Sequence, residues 1–487
     1  MVNKMGLPSP SKTRSFEPSA PLFTFTFTFT SSSSSAMASS STQKPLKILE
    51  QSHVSPPPDS VPSTTIPLTF FDIIWLFSGP VQRLFFYSFP HSTSHFINYH
   101  LPTLKTSLSL TLQSFFPLSG HVRQLGNEFE LFYIDGDSVS FTVAESNSDF
   151  KTLSGHQPRS FKTLLSLSPA LKPIPGELIG GPLMAIQVTV FPNQGLCLGI
   201  SINHVACDGT SSMNFMKSWA ATCRAGAGSP VLAVPPVYDR SMVVDPANLS
   251  SIYYKASMEA AKAAEAAAAA ETLTLACSKS TSGDHEENMG LVSATFTLRK
   301  DQLEKLKKMM GSKSSTFVVA CAHAWTCLMR SRRQPEERTA YAAFAVDCRH
   351  RLEPPLPEGY FGNCVGAAFA EANAGEMIGE EGVKVAGEVL KKAVEELGGG
   401  VLRGAEKWLE KVIEVLPKRP LSVAGSPKFK VYETDFGWGS PEKVEVVSLE
   451  KNGSLSMAES GKEEGGVEIG LVLTKEEMEE FSLAFHA

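Results

Sequence analysis

The chain has 487 residues, too many for one ordinary core of roughly 100–200 residues, so at least two domains or one large composite fold are expected. Hydrophobic residues make up 42% and charged residues 19%, a globular composition rather than that of a disordered chain. The 44 basic and 50 acidic residues give a net charge of -6, without the clustered basic surface of a nucleic-acid binder, and no apolar run reaches the roughly 18 residues of a membrane-spanning helix. The eight cysteines begin at Cys197 and none are spaced as CxxC, so neither a disulfide framework nor a cysteine-rich zinc module is expected. They read as small buried thiols of a reducing, cytoplasmic protein.

Residues 1–45 differ from the rest and are expected to be disordered. Phe and Thr alternate from Phe23 to Thr30, and the serines Ser31 to Ser35 follow. Two readings fit: a plastid transit peptide, rich in Ser and Thr with Lys4, Lys12 and Arg14 against Glu17, or untranslated message read through, with Met37 as the true start. The second is favoured. A strand-like start at Leu46 to Leu49 opens the folded part, and a proline-rich loop at Pro56 to Pro62 precedes Leu68-Thr69-Phe70-Phe71-Asp72.

Leu84 to Phe89 reads as a strand. Leu104, Leu108, Leu112 and Phe115 share one face of a helix over Leu101 to Phe116. Strands are expected at Glu128 to Tyr133 and Ser138 to Val143, joined by a turn at Asp135-Gly136-Asp137. Leu183 to Phe191 and Gly195 to Ile202 form a hairpin around Pro192-Asn193-Gln194-Gly195, followed by a helix from Thr210 to Arg224. Residues 226–250 look like a connection between halves. Ala256 to Ala270 is a strong helix former and Ser278 to Asn288 a mobile stretch. Then come a strand at Ser293 to Leu298, a helix at Lys300 to Met310, and a helix capped by Ser315 or Thr316 and running to Arg333. Tyr341 to Asp347 is a strand, Gly375 to Leu416 is helical with a break at Gly398 to Gly400, Lys443 to Leu449 and Val467 to Leu473 are the last strands, and Lys475 to Ala484 is a closing helix. The mixture, without a regular βαβ period, gives an α+β or irregular α/β class.

Chemistry concentrates where the strand Leu196 to Ile202 runs into Asn203-His204-Val205-Ala206-Cys207-Asp208-Gly209. A histidine at the mouth of a strand can project into a cleft, and imidazole titrates near neutrality, as a base taking a hydroxyl proton requires. Asp208 could orient the ring or the turn. Equally, these residues fit a core histidine beside a turn carboxylate. Two rival readings use the same residues: His204, Cys207 and Asp208 as metal ligands, or Cys207 as a nucleophile beside His204. Asp435-Phe436-Gly437-Trp438-Gly439 is the second feature, and its chemistry favours a structural turn in which Asp435 bonds local amides.

Together, His-x-x-x-Asp near mid-chain and Asp-Phe-Gly-Trp-Gly near the C-terminus resemble the plant BAHD acyltransferases, which use acyl-CoA. Leu68 to Asp72, Phe116-Pro117-Leu118-Ser119-Gly120, Asp347 to Leu352 and Tyr360-Phe361-Gly362-Asn363-Cys364 resemble the same family, so the likeness covers about residues 45–487. It implies a mixed α/β fold of two similar chloramphenicol-acetyltransferase-like domains, here 46–225 and 251–487 joined by 226–250, with a channel between them.

The resemblance further implies His204 as general base, attack of an acceptor hydroxyl on the thioester, and no acyl-enzyme. Asp208 would pair with an arginine, Arg349 before Arg351, and hold the loop that presents His204, while Gly209 leaves room for substrates. Asp435, with Gly437 and Trp438, would be structural rather than a second base. Lys313, Ser314 and Ser315 would hold a CoA phosphate at a helix N-terminus. Acyl-CoA is the co-substrate, with no bound cofactor or metal, and the enzyme is expected to be a monomer without nucleic-acid or membrane partners. Tyr360 to Cys364 and Gly465 to Leu471 look most like the flavonoid and anthocyanin branch, whose members acylate sugar hydroxyls of phenolic glucosides. Malonyl is the favoured donor, although in malonyl-specific members Lys is common where Thr210 stands. The alternatives are a hydroxycinnamoyl donor and a silent homologue that binds CoA or a partner.

Overall fold

The computed structural model describes residues 46–126, 128–171, 180–226, 228–277, 290–311, 314–333, 335–449 and 454–487, the side chains of 264–277 excepted. The extension 1–45, the stretch Ser278 to Asn288 and Lys313 lie outside the described residues. The architecture is mixed α/β. A six-stranded sheet runs in the order Lys47–Val54, Val139–Glu145, Met184–Phe191, Gly195–Asn203, Pro80–Ser88 and Lys443–Val446. A seven-stranded sheet runs Val365–Asn373, Thr339–Asp347, Leu421–Ala424, Ser454–Glu459, Val467–Thr474, Leu291–Leu298 and Arg159–Ser160. A four-stranded sheet is built from Thr64–Pro67, Glu128–Tyr133, His121–Leu125 and Gly181–Pro182.

The hairpin of Met184–Phe191 and Gly195–Asn203 forms as the sequence indicates, with Gly195 opposite Phe191 and Ile202 opposite Met184. Gly195–Asn203 is flanked on its other edge by Pro80–Ser88, so it lies inside the sheet. Its residues are buried on both faces, which explains its continuous apolar run where a half-exposed strand would alternate. Both strands around the turn at Asp135 to Asp137 form, but they do not pair with each other. Those strands sit in different sheets: Glu128–Tyr133 pairs with His121–Leu125 and Thr64–Pro67, and Val139–Glu145 with Lys47–Val54 and Met184–Phe191. The turn chemistry at Ile134 to Asp137 is present, with Gly136 at φ 93, but it redirects the chain from one sheet to the next.

Each large sheet takes a strand from the other half of the chain. Lys443–Val446 extends the six-stranded sheet beside Pro80–Ser88, and Arg159–Ser160 extends the seven-stranded sheet beside Leu291–Leu298. The exchange is locked by a buried ion pair: Arg159 Nη1 and Nη2 donate to Glu445 at 2.7 and 2.9 Å. Ser293 Oγ donates to the same carboxylate. The Arg159 Nη1 also donates to the Leu153 carbonyl, and Nε to the Gln157 carbonyl, so the guanidinium ties the stretch before it to Lys443–Val446. The main hydrophobic cluster likewise crosses the halves, since Cys348, Tyr360, Phe361 and Cys364 pack with residues of the first 225 positions.

Truncating one partner of such a pair leaves the other charged, buried and unpaired. Arg159→Ala is therefore expected to lower unfolding stability by about 3–5 kcal/mol, read as a shift of the urea midpoint followed by tryptophan fluorescence. Arg159→Met combined with Glu445→Leu should recover most of that loss.

Candidate active site

The strand Gly195–Asn203 ends in a tight turn, Asn203 Oδ1 accepting from the Val205 amide at 3.2 Å, and the chain then enters the helix Gly209–Ala225. Asp208 is the N-cap of that helix: its Oδ1 accepts from the Ser211 amide at 3.1 Å, where a carboxylate also meets the positive end of the helix dipole. Gly226, at φ 56, ends the helix in a left-handed cap. His204 thus stands between a sheet and a helix that are both fixed.

Asp208 is fully engaged. Arg349 Nη1 and Nη2 donate to its two oxygens at 2.8 and 3.0 Å, and the Cys364 amide adds a bond of 3.0 Å. Burial disfavours the carboxylate, but the guanidinium and the two amides outweigh it, and the Asp208 pKa falls below the ordinary range. The same Arg349 Nη2 reaches Ser211 Oγ at 3.1 Å and the Gly362 carbonyl at 3.2 Å. Arg351, the second arginine of that stretch, makes no ion pair with Asp208. Of the residues drawn from sequence, the structure brings together His204, Asp208, Gly209 and Arg349.

Sequence reasoning gave no role to Asn363, Asp72 or Trp75, which hold the imidazole. Asn363 Nδ2 donates to Asp72 Oδ1 at 3.0 Å and to the His204 carbonyl at 2.9 Å. Both partners are pure acceptors, so the amide orientation is fixed and Asn363 Oδ1 faces His204 Nδ1, 3.2 Å away. An amide oxygen only accepts. Nδ1 therefore carries the proton, and Nε2 keeps its lone pair. Asp72 is held in turn by Thr69, whose amide and hydroxyl donate at 2.9 and 2.8 Å in a capping box. Trp75 stacks on the imidazole with ring centroids 3.8 Å apart and planes 7° from parallel. Asp72 and Asn363 lay inside motif stretches of the sequence, but nothing in the chain order says that they meet.

Burial holds the His204 pKa below its ordinary value, against the opposing influence of Asp208, Asn363 and Asp72. A neutral ring with a free Nε2 is the form a general base needs. Cys207 is different. Its thiol is buried and pushed far above the usual range by burial and then by Asp208, so it holds its proton at neutral pH, which disfavours the nucleophile reading. Both Asp208 oxygens are occupied by Arg349 and amides, which disfavours its use as a metal ligand.

Gly209 lies under the Phe429 ring: a Cβ there would come within 2.5 Å of Cε2 and Cζ, so the space beside the glycine is filled by an aromatic ring. Asp435 Oδ1 accepts from the Gly437 and Gly439 amides at 2.7 and 2.9 Å, and Oδ2 meets Arg224 at 3.4 Å. Gly437 and Gly439 have φ of 98 and 87, which is why the turn needs them. Trp438 packs edge-on against Tyr87 and Phe89, and its Nε1 bonds His100 Nδ1 at 3.2 Å. None of these partners is His204. Ser315 Oγ caps the helix Thr316–Ser331 through the Val318 amide, and Ser314 is buried with its hydroxyl directed to the Met310 carbonyl.

Comparison with known proteins matches this architecture. The model of the Transferase family matches residues 45–487. The chain belongs to this BAHD acyltransferase family. It is 37% identical over 459 residues to a malonyl-coenzyme:anthocyanin 5-O-glucoside-6'''-O-malonyltransferase of Salvia splendens, covering 90% of this chain and 95% of the relative. It is 36% identical over 468 residues to coumaroyl-CoA:anthocyanidin 3-O-glucoside-6''-O-coumaroyltransferase 1 of Arabidopsis thaliana, covering 90% and 96%. Among solved structures it resembles vinorine synthase, with a TM-score of 0.63 at 21% identity, covering 90% and 96%, a likeness of fold.

The site geometry of this BAHD member sets its pH behaviour. Were His204 the base, it would have to be unprotonated to act, and burial lowers its pKa. Activity should therefore stay level through neutral pH, and the acid limb of kcat/KM should have its midpoint below the ordinary imidazole value of about 6.5. A limb centred above that value in a rate–pH profile would count against the desolvated ring.

Proposed function

We propose that the protein transfers an acyl group, with malonyl favoured, from acyl-CoA to a sugar hydroxyl of a phenolic or flavonoid glucoside. The observation that carries the reading is the 3.2 Å contact of His204 Nδ1 with Asn363 Oδ1, which places the proton on Nδ1 and leaves Nε2 without a hydrogen-bond partner among the described residues. Nε2 takes the proton of the acceptor hydroxyl as its oxygen attacks the thioester carbonyl. The C–S bond of the resulting tetrahedral adduct breaks, and the CoA thiolate recovers a proton from the imidazolium, so the base is restored. Asp208 and Arg349 act as positioning residues, holding the turn without touching the reacting atoms. Asp435 belongs to loop architecture. A hydroxycinnamoyl donor is the second reading, since relatives of both donor classes match the chain to similar degree. The buried, unpaired cysteines among the described residues support a cytoplasmic setting, and no helix there is long and apolar enough to cross a membrane.

His204→Ala is expected to lower kcat by roughly 10²–10⁴-fold with the fold retained. The measurement is product formation by mass spectrometry, with malonyl-, acetyl-, coumaroyl- and caffeoyl-CoA against flavonoid glucosides. Undiminished transfer by the variant refutes the base assignment, and a wild-type enzyme silent with every donor favours the non-catalytic homologue. For the CoA phosphate we propose Lys313 with Ser314 and Ser315. Lys313→Ala should raise KM for acyl-CoA several-fold while kcat changes little, and an unchanged KM removes that assignment.

A further inference from the structure

Beside the histidine turn lies a small cavity of about 30 Å³, whose wall includes Arg83, Ile200, Ile202, Cys207, Asp208 and Ser212. Ile202 before His204, and Cys207, Asp208 and Gly209 after it, line the cavity, so it lies against the turn that carries His204. The surface it exposes is mostly apolar; one carboxylate in its wall, Asp208, is bound by Arg349, and one cation, Arg83, stands there without such a partner among the described residues. Arg83 is on the strand Pro80–Ser88, opposite Ile200 in the register, and its side chain runs under the helix Gly209–Ala225. It is 6% exposed. Among the described residues, the one hydrogen-bond contact of its side chain is from Nη1 to the Met213 sulfur at 2.9 Å, a weak acceptor. Among the described residues no carboxylate lies within 4 Å of it.

A buried guanidinium without a carboxylate is costly unless something completes it. Three other buried arginines each have a carboxylate within 4.0 Å. Arg349 has Asp208, Arg159 has Glu445, and Arg240 lies 4.0 Å from Asp72 and donates through Nη1 to the Phe361 carbonyl, its Nε and Nη2 making no hydrogen bond among the described residues. The acid that acts on Arg83 from a distance is Glu459, whose Oε1 accepts from the Tyr432 amide. Burial brings the Arg83 pKa down to about 10, which still leaves the group charged at neutral pH. The cavity has room for about two waters, which suits a carboxylate and does not suit a phenolic ring.

We propose that Arg83 selects the acyl donor: its guanidinium receives the free carboxylate at the far end of a malonyl-type acyl group while His204 serves the thioester end. The inference rests on the acyl-CoA transfer reading of the same site and extends it to donor class. It also accounts for Thr210. The charge that a dicarboxylic acyl group needs is supplied from the neighbouring strand rather than from the first turn of the helix. A planar fork with two parallel N–H donors is suited to a carboxylate.

The test compares wild type, Arg83→Gln and Arg83→Lys with malonyl-CoA and acetyl-CoA, which differ at the acyl end by the carboxylate, using one phenolic glucoside as acceptor. Arg83→Gln should lower the malonyl-to-acetyl ratio of kcat/KM by roughly 10²-fold or more, leave acetyl transfer within a few-fold, and keep the thermal midpoint. Arg83→Lys should recover part of the ratio. An equal fall for both donors shows a packing role and overturns the proposal, as does an unchanged ratio. Calorimetric binding of the two donors without acceptor forms an independent arm. Wild type should bind malonyl-CoA more tightly and Arg83→Gln should not; equal affinities in wild type overturn the proposal whether or not turnover is seen. An enzyme that transfers from neither donor counts against the acyl-transfer reading itself, while the binding arm still decides on Arg83.

Discussion

The position of His204 depends on one buried contact, the two-pronged pair between Asp208 and Arg349. It joins the turn after Gly195–Asn203 to the end of Thr339–Asp347, across 141 positions of sequence. A buried ion pair is weak as a source of net stability, because the desolvation of two charges offsets much of their attraction. It is strong as a constraint on geometry. Every oxygen of Asp208 and both terminal nitrogens of Arg349 are assigned, and the same guanidinium gathers Ser211 and the Gly362 carbonyl. Gly362 is followed by Asn363, so the pair that holds the histidine turn also places the amide that orients the ring.

That coupling makes the setting of His204 a property of several elements together. Asn363 reaches His204 only because its backbone amide and side chain both meet Asp72, and Asp72 is aimed by Thr69 at the start of a one-turn helix. The helix is too short to be stable alone. It is stabilised by burial of Phe70, Phe71 and Ile73, which are the apolar residues of the stretch Leu68 to Asp72 and its neighbour. Trp75, two residues past it, covers the imidazole face and excludes water from it. The desolvation that lowers the His204 pKa and the hydrogen bond that sets its tautomer therefore come from the two sides of one short motif.

Much of this was legible in the sequence where a signal is local. The hairpin around Pro192 to Gly195, the amphipathic helix at Leu101, the cap at Ser315 and the helix after Asp208 all carry turn, periodicity or capping chemistry in consecutive residues. Strands without such signals escaped. Val365–Asn373 has five alanines or glycines in nine residues, a composition that favours helix by propensity, yet it pairs along its whole length with Thr339–Asp347. Tertiary pairing decides there. The turn at Asp135 to Asp137 was legible as a turn but its consequence was not, since only the arrangement of sheets shows that it separates two strands. Arg83 illustrates the same limit at the site: in sequence it is one cation in the run Pro80 to Ser88, and its lack of a partner exists only in three dimensions.

The distant Asp-Phe-Gly-Trp-Gly motif fits the same logic. Asp435 staples a turn, Trp438 anchors it among aromatic rings of the first half, and the Tyr87 hydroxyl holds the Thr434 carbonyl at 2.9 Å. The chain before the motif carries Phe429 onto Gly209, and the chain after it adds Lys443–Val446 to the sheet beside Pro80–Ser88. Tyr87 and Arg83 are on that same strand. The motif therefore closes the second half of the chain over the strand that carries Arg83 and the helix turn that follows His204. A glycine at 209 is required because a ring, held there by residues over 200 positions away, leaves no space for a side chain.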